Sequence, residues 1–335
     1  MNRYARQMLF KPIDKAGQLK LVESSVLIVG AGALGGVIAN QLVRAGIGKI
    51  RLIDRDYVEI SNLQRQFLFE EQDVDNALPK AIAAKNKLIK INSDVEIEAI
   101  VGNVTNQNIE ELIQGIDVVL DGTDNFSTRF LLNDACFKHS IPYSYGGVVS
   151  SRGMTAFFIP NKTPCLRCMV KENSGDGQTC DTVGIISPIV DIISSYQVTE
   201  TIKYLTNNEK DLRNTLKTMD IWFNQNFDIK FNQPKERCLT CQQHQYPALQ
   251  RTSQDEETVL CGRNTVQIHQ RDKMDLITWE KRLSKIAATK RTPFLLKAKF
   301  DDNIHFVVFS DGRVLVQGTE DIVEARTWYD RYIGS

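Results

Sequence analysis

Three groups of side chains in this sequence have types and spacings that could do chemistry. The first is Gly30-Ala31-Gly32-Ala33-Leu34-Gly35, the GxGxxG spacing, followed downstream by Asp54. Such glycines allow a tight turn, close approach of backbone to a phosphate, and close contact between helix and strand. The free N–H groups of a helix that begins there favour an anion, and Asp54 can accept hydrogen bonds from a ribose. The second group is polar: Arg65, Lys80 after Pro79, and Asp124-Asn125. A guanidinium forks phosphate oxygens. A lysine at a helix N-terminus opposes the dipole, which suits a ligand better than stability. A carboxylate at the carboxyl end of a strand can hold Mg²⁺ on a nucleotide's phosphates. Asp124 reads equally well as a helix N-cap, a task open to Asn125 too. The third group is Cys165-x-x-Cys168 and Cys238-x-x-Cys241, which supply the four thiolates of a tetrahedral structural Zn²⁺ site. Between the pairs, Gly, Ser, Asn and Asp make residues 171–182 a flexible loop by composition, with Cys180 inside it. Cys180 is either a nucleophile or sulfur carrier, or a spectator. Cys136 and Cys261 lack partner spacing and read as structural.

These groups need a frame. Residues 26–29 are a continuous apolar run, as in a strand buried on both faces of a parallel sheet. A helical pattern follows from Leu34, and a second apolar strand at 50–53 closes on Asp54, completing a βαβ nucleotide site. Pro79 suits the first turn of a helix over 81–91. Further on come a strand at 95–101, a short helix at 106–114, a buried strand at 116–120 and a helix from Phe126. Strands at 142–149 and 154–159 precede an apolar helix at 185–205. Residues 1–246 thus form one domain and 247–258 a polar linker. Residues 259–335 form a small α+β domain with strands at 265–269, 294–300, 304–309 and 314–317 and helices at 274–285 and 320–332. That smaller domain holds no recognisable catalytic cluster.

Composition narrows the class. Lys+Arg and Asp+Glu are both 41, so a net charge of zero gives no support to nucleic-acid or membrane-surface binding. The first residues carry scattered charge without a signal-peptide core, and no run approaches a membrane span. The expected location is cytoplasmic, where seven cysteines point to metal or thiol chemistry. GxGxxG alone serves dehydrogenases, flavoproteins and ATP-using enzymes alike.

Arg3-Tyr4-Ala5-Arg6-Gln7, the glycine turn, Leu52 to Asp56, Ser61 to Gln66, Leu78-Pro79-Lys80, Asp121 to Asn125 and the two cysteine pairs resemble, in order, the ThiF/MoeB/HesA family of ubiquitin-activating-type adenylyltransferases. The resemblance covers residues 2–245, and the set is specific where no single motif is. It implies a Rossmann-like, mainly parallel sheet with helices on both faces and a structural zinc site. It implies ATP with its ribose on Asp54 and its phosphates against Gly30, Gly32, Ala33 and Gly35. Ser61, Asn62, Arg65, Gln66 and Lys80 would surround the triphosphate, with Asn125 beside it and Mg²⁺ on Asp124. Arg6 would cross a two-fold interface into the partner's site, so a homodimer is implied. The substrate would be a ubiquitin-like sulfur-carrier protein ending in Gly-Gly, whose carboxylate attacks the α-phosphate to give an acyl-adenylate and pyrophosphate. A separate protein would donate sulfur, and in thiazole-type members the loop cysteine, here Cys180, can join a sulfur link. The molybdopterin-type carrier is placed first and the thiazole-type carrier next. A tRNA-base cyclising enzyme and a non-catalytic scaffold stand further off.

Overall fold

The computed structural model describes residues 2–170, 183–250, 257–260, 264–270, 272–300 and 304–334. Cys180 and Cys261, with the readings attached to those thiols, lie outside the described residues. The chain divides into two compact units, Met1–Val74 with Pro79–Arg251 and Asp75–Leu78 with Thr252–Ser335.

The first unit is built on an eight-stranded sheet: β1 Ser25–Val29, β2 Lys49–Asp54, β3 Glu96–Val101, β4 Val118–Asp121, β5 Tyr143–Val149, β6 Arg152–Phe158, β7 Thr215–Asp220 and β8 Gln225–Lys230, in the order β3-β2-β1-β4-β5-β6-β7-β8. Strands β1 to β5 pair in parallel, and β6 to β8 add antiparallel. The apolar runs of β1 and β4 are buried along nearly their whole length, as central parallel strands covered on both faces must be. Around them lie α1 Asp14–Glu23, α2 Ala33–Ala45, α3 Lys80–Ile91, α4 Phe126–Lys138 and α5 Ser187–Leu205. Helix α2 packs against both α3 and α5, while α4 joins the cluster of Leu27, Val29, Val119 and Phe130. Polar ties fix α5 on α2: Gln41 Nε2 donates to Ser195 Oγ at 2.9 Å and Ser194 Oγ to the Leu34 carbonyl at 3.2 Å. The chain runs to β2 on one side of β1 and to β4 on the other. This is a topological switch point, and open α/β sheets bind ligands outside the carboxyl ends of the strands at such a point, here β1 and β4.

The second unit is a six-stranded antiparallel sheet. It contains β9 Glu257–Leu260, β10 Thr265–His269, β11 Ala288–Arg291, β12 Leu295–Lys299, β13 His305–Phe309 and β14 Arg313–Gln317, in the order β11-β12-β13-β14-β10-β9. Alternate residues Val266 and Ile268, Leu296 and Ala298, Phe306 and Val308, and Val314 and Val316 form one core with α6 Leu276–Leu283 and α7 Ile322–Tyr332. Asp275 and Asp321 cap those helices by accepting from Ile277 N and Val323 N.

Several elements depart from the sequence pattern. The helix expected at 106–114 is only Ile109–Leu112, because Asn108 turns its side chain back to accept from Thr105 N at 2.8 Å. The hairpin β7–β8 was not legible: β8 is exposed throughout and has no buried face to impose alternation. The stretch expected as a linker holds a short helix, Pro247–Gln250, and strand β9. The exposed edge strand β11 escapes a periodic reading for the same reason as β8. Among the described residues no helix is long and apolar enough to cross a membrane.

Candidate functional site

Glycines converge where β1 and β4 end. Gly30 has φ +90°, and a side chain there would meet the Gly122 carbonyl at 2.7 Å. A Cβ on Gly35 would stand 1.7 Å from the Gly30 carbonyl oxygen, so the first turn of α2 lies directly on the turn that precedes it. Gly32 is the N-cap of α2 with no side-chain cap, which leaves N–H groups of the first turn directed outward for an anion. The nearest side chain to its open face is the Gln66 amide, 3.7 Å from a Cβ placed at Gly32. Gln66 is 5% exposed, and its Oε1 is buried without a hydrogen-bond partner. The amide atom over the open glycine is the Nε2 donor, which suits a phosphate oxygen, whereas the orphaned Oε1 can only accept and so suits a donor such as a hydroxyl.

Asp54 lies at the end of β2. Its Oδ2 accepts from Ala31 N at 2.6 Å and its Oδ1 from Asp56 N at 2.7 Å. Desolvation holds the carboxyl above the ordinary carboxylate range, against the pull of Lys80. Asp56 in turn lies 3.5 Å from Lys80 Nζ and accepts from Lys80 N through its carbonyl at 2.8 Å. One connected path therefore runs from the glycine turn through Asp54 and Asp56 to Lys80. Lys80 is the first residue of α3, with Pro79 as N-cap rather than inside the helix, and it is 3% exposed. Its ammonium is thus enclosed near the turn, not displayed from a helix end.

The stretch between β2 and α3 folds around a 3-10 turn, Ile60–Asn62. Asn62 is buried, and its Oδ1 accepts from Glu59 N at 3.1 Å. Arg65 Nη1 donates to the Ser61 carbonyl at 2.9 Å, and Ser61 itself is exposed. At the end of β4, Asn125 Oδ1 accepts from Thr128 N at 2.9 Å and caps α4. Asp124 is thereby relieved of capping and stands exposed. Arg6 is also exposed, on the short helix Ala5–Met8. Its neighbour Gln7 donates to the Ala45 carbonyl at 2.9 Å, at the far end of α2, roughly 20 Å along the helix from the glycine turn.

Two residues that sequence reasoning passed over hold the Asp121 to Asn125 loop. Arg129 is 6% exposed and donates from Nη2 to the Thr123 carbonyl at 2.7 Å. Asp121, fully buried, accepts from Thr123 N at 2.8 Å and Tyr143 OH at 2.6 Å, with Arg129 Nε at 3.6 Å. Burial pushes its carboxyl above the ordinary range despite Arg129 and Tyr143. Arg129 had a legible signal. It lies one helical turn after Asn125, and long helical side chains point back toward the N-terminus.

The four spaced cysteines meet. The Sγ atoms of Cys165, Cys168, Cys238 and Cys241 all lie within 4.8 Å of one another, with 3.5 Å between Cys165 and Cys238 and between Cys168 and Cys241. Tetrahedral Zn–S bonds of about 2.3 Å require neighbouring sulfurs about 3.8 Å apart, so this cluster can hold a metal ion. The hydrogen bond to Cys165, above all, holds the Cys168 and Cys238 thiols below the ordinary range. Cys136 is buried on α4, and desolvation pushes its thiol up, as for an inert structural residue.

Residues 4–240 match the ThiF family model. The Bacillus subtilis (strain 168) protein named sulfur carrier protein ThiS adenylyltransferase is 43% identical over 341 residues, 99% of each chain. The Escherichia coli (strain K12) protein of the same name is 36% identical over 208 residues, 62% of this chain and 82% of that one. The Anopheles gambiae adenylyltransferase and sulfurtransferase MOCS3 is 37% identical over 247 residues; the match takes in 71% of this chain and 54% of that longer protein. Among solved structures, E. coli MccB with ATP superposes with a TM-score of 0.62 at 25% identity, over 72% of this chain and 73% of that one.

Proposed function

From the premise that the chain belongs to the ThiF family and is an adenylyltransferase, we propose that it activates the C-terminal carboxylate of a ubiquitin-like, Gly-Gly-ended sulfur carrier of the ThiS type. The observation that carries this reading is the connected path from the glycine turn through Asp54 and Asp56 to the enclosed ammonium of Lys80. A positive charge tied through carboxylates to a backbone anion cradle is what a triphosphate needs, and this supports the reading. The full-length likeness to a ThiS adenylyltransferase favours the thiazole-type carrier over the molybdopterin-type carrier that the motifs alone put first. The likeness to MOCS3 keeps the second carrier as the other arm of the test.

The chemistry asks little of the protein beyond placement. The attacking carboxylate is already ionised, so no base is required. Its oxygen bonds to the α-phosphorus as the bond to the bridging oxygen breaks and pyrophosphate leaves. The residues have to align the two reactants and neutralise charge on the departing phosphates. The N–H groups after Gly32, Lys80 and Arg65 take the phosphates, Asn62 and Gln66 line the cradle, and Asp54 takes the ribose. Asp124 suits Mg²⁺, which commonly binds through one or two carboxylates plus substrate phosphates. Zinc on the four cysteines would serve structure. Arg6, remote from its own turn, would complete the site of a partner subunit, and a separate protein would supply the sulfur.

Carrier-dependent exchange of pyrophosphate into ATP tests the reading, with thiazole-type and molybdopterin-type carriers side by side. Exchange with the thiazole-type carrier alone is expected. Exchange with the molybdopterin-type carrier alone would restore the other order, exchange with both would indicate a shared activator, and silence with both would refute sulfur-carrier activation.

A further inference from the structure

Asp134, on α4, has no exposed surface yet carries a carboxylate. Its Oδ1 accepts from Arg167 Nε at 2.9 Å, Thr240 Oγ1 at 2.7 Å and the Asn133 side-chain amide at 3.1 Å. Its Oδ2 accepts from Arg167 Nη2 at 2.8 Å and Ala248 N at 2.9 Å. Arg167 and Thr240 hold equivalent places, each immediately before the second cysteine of its pair. A single carboxylate therefore grips both cysteine turns from the same helix. The preceding residue extends the grip, since Asn133 Oδ1 accepts from Leu166 N at 2.9 Å. Phe130, one turn earlier on α4, lies under the Arg167 guanidinium at 4.6 Å.

Burying a carboxylate carries a large desolvation cost that one ion pair seldom offsets. Here a bidentate guanidinium, a hydroxyl and a backbone N–H satisfy both oxygens, and the result is a cross-link between two segments about seventy residues apart in sequence. We propose that Asp134 is a positioning residue of the metal centre. It sets the separation of the two turns, so that the four thiolates stand at metal-binding distance whether or not metal is present. Zinc then closes a site already spaced for it. Groups outside the ligand sphere that orient ligands commonly alter metal affinity tenfold to a hundredfold.

The inference rests on the reading of the cysteine cluster as a zinc site, and the test separates the two. Zinc release from the full chain into excess chromogenic chelator is followed for the parent, Thr240→Val, Thr240→Ser and Asp134→Asn. Thr240→Val keeps the shape and the Asp134–Arg167 pair but removes the hydroxyl tie to the second turn. About tenfold faster release is expected for Thr240→Val, the parent rate for Thr240→Ser, and a larger acceleration for Asp134→Asn with unchanged far-UV circular dichroism. Release from Thr240→Val at the parent rate, or from Thr240→Ser as fast as from Thr240→Val, overturns the proposal. Should Asp134→Asn fail to fold, the threonine pair decides. A parent chain that binds no zinc and gives no thiolate-to-metal band with cobalt overturns the zinc reading and this inference together.

Discussion

Lys80 holds its ammonium 3.5 Å from Asp56 with 4% of its side chain exposed. A buried cation with one carboxylate at that distance is held for a purpose beyond the pair itself, because desolvation outweighs what a single long contact returns. Lys80→Met should cut pyrophosphate exchange by about 10²–10³-fold, the usual loss when a charge-stabilising donor is removed, with unchanged circular dichroism. Parent-like exchange would remove Lys80 from the phosphate site. Asp121 makes a different prediction. Burial raises its carboxyl above the ordinary 3.8, so the folded chain binds that proton more readily than the unfolded chain. The associated stability is present below about pH 4 and is lost as pH climbs through the raised folded value. Relative to Asp121→Asn, the parent should therefore lose melting temperature as pH rises above about 4. A parent that gains over that range would mean that Arg129 outweighs burial.

At the scale of elements, the strand-to-helix turn is fixed by contact rather than by propensity. Gly35 and Gly36 are neighbours in α2 with opposite surroundings. A Cβ on Gly35 would strike the Gly30 carbonyl at 1.7 Å, whereas one on Gly36 would meet Ala31 O at 3.6 Å and Leu68 at 3.7 Å, ordinary contacts. Gly35→Ala should destabilise at the upper end of the overpacking range of about 1–3 kcal/mol and weaken ATP binding. Gly36→Ala should be neutral or stabilise by up to about 1 kcal/mol, since alanine restricts the unfolded chain and suits a helix interior. Thermal melts of the pair check this, and equal losses would show that the turn does not press on Gly35. Helix α4 belongs to the same scale, with the Asn125 cap at the loop of β4 and Asp134 at the cysteine turns.

For the whole molecule, the two units have separate cores, and all four clustered cysteines belong to the first. Stripping metal with a strong chelator should lower the melting transition of the first unit by about 5 °C or more and leave that of the second in place. This follows because a structural metal contributes to folding only where its ligands are. Calorimetry with and without chelator reads both transitions, and equal shifts in the two would contradict the assignment.

Local chemistry made much of this protein legible from residues alone. The βαβ turn, the strand ends at Asp54 and Asp121 and the meeting of two CxxC pairs follow from spacings that few arrangements satisfy. The apolar runs of β1 and β4 were visible because strands covered on both faces admit little but aliphatic residues. Exposed strands such as β8 and β11 carry no such mark, since solvent tolerates any pattern. Side-chain partnership was equally hidden. That Lys80 is enclosed beside Asp56 and that Asp134 unites both cysteine turns depend on contacts across 24 and 106 residues. A buried charge is stable only with its partner in place, and the partner is chosen by how helices and strands pack, which only the tertiary structure decides.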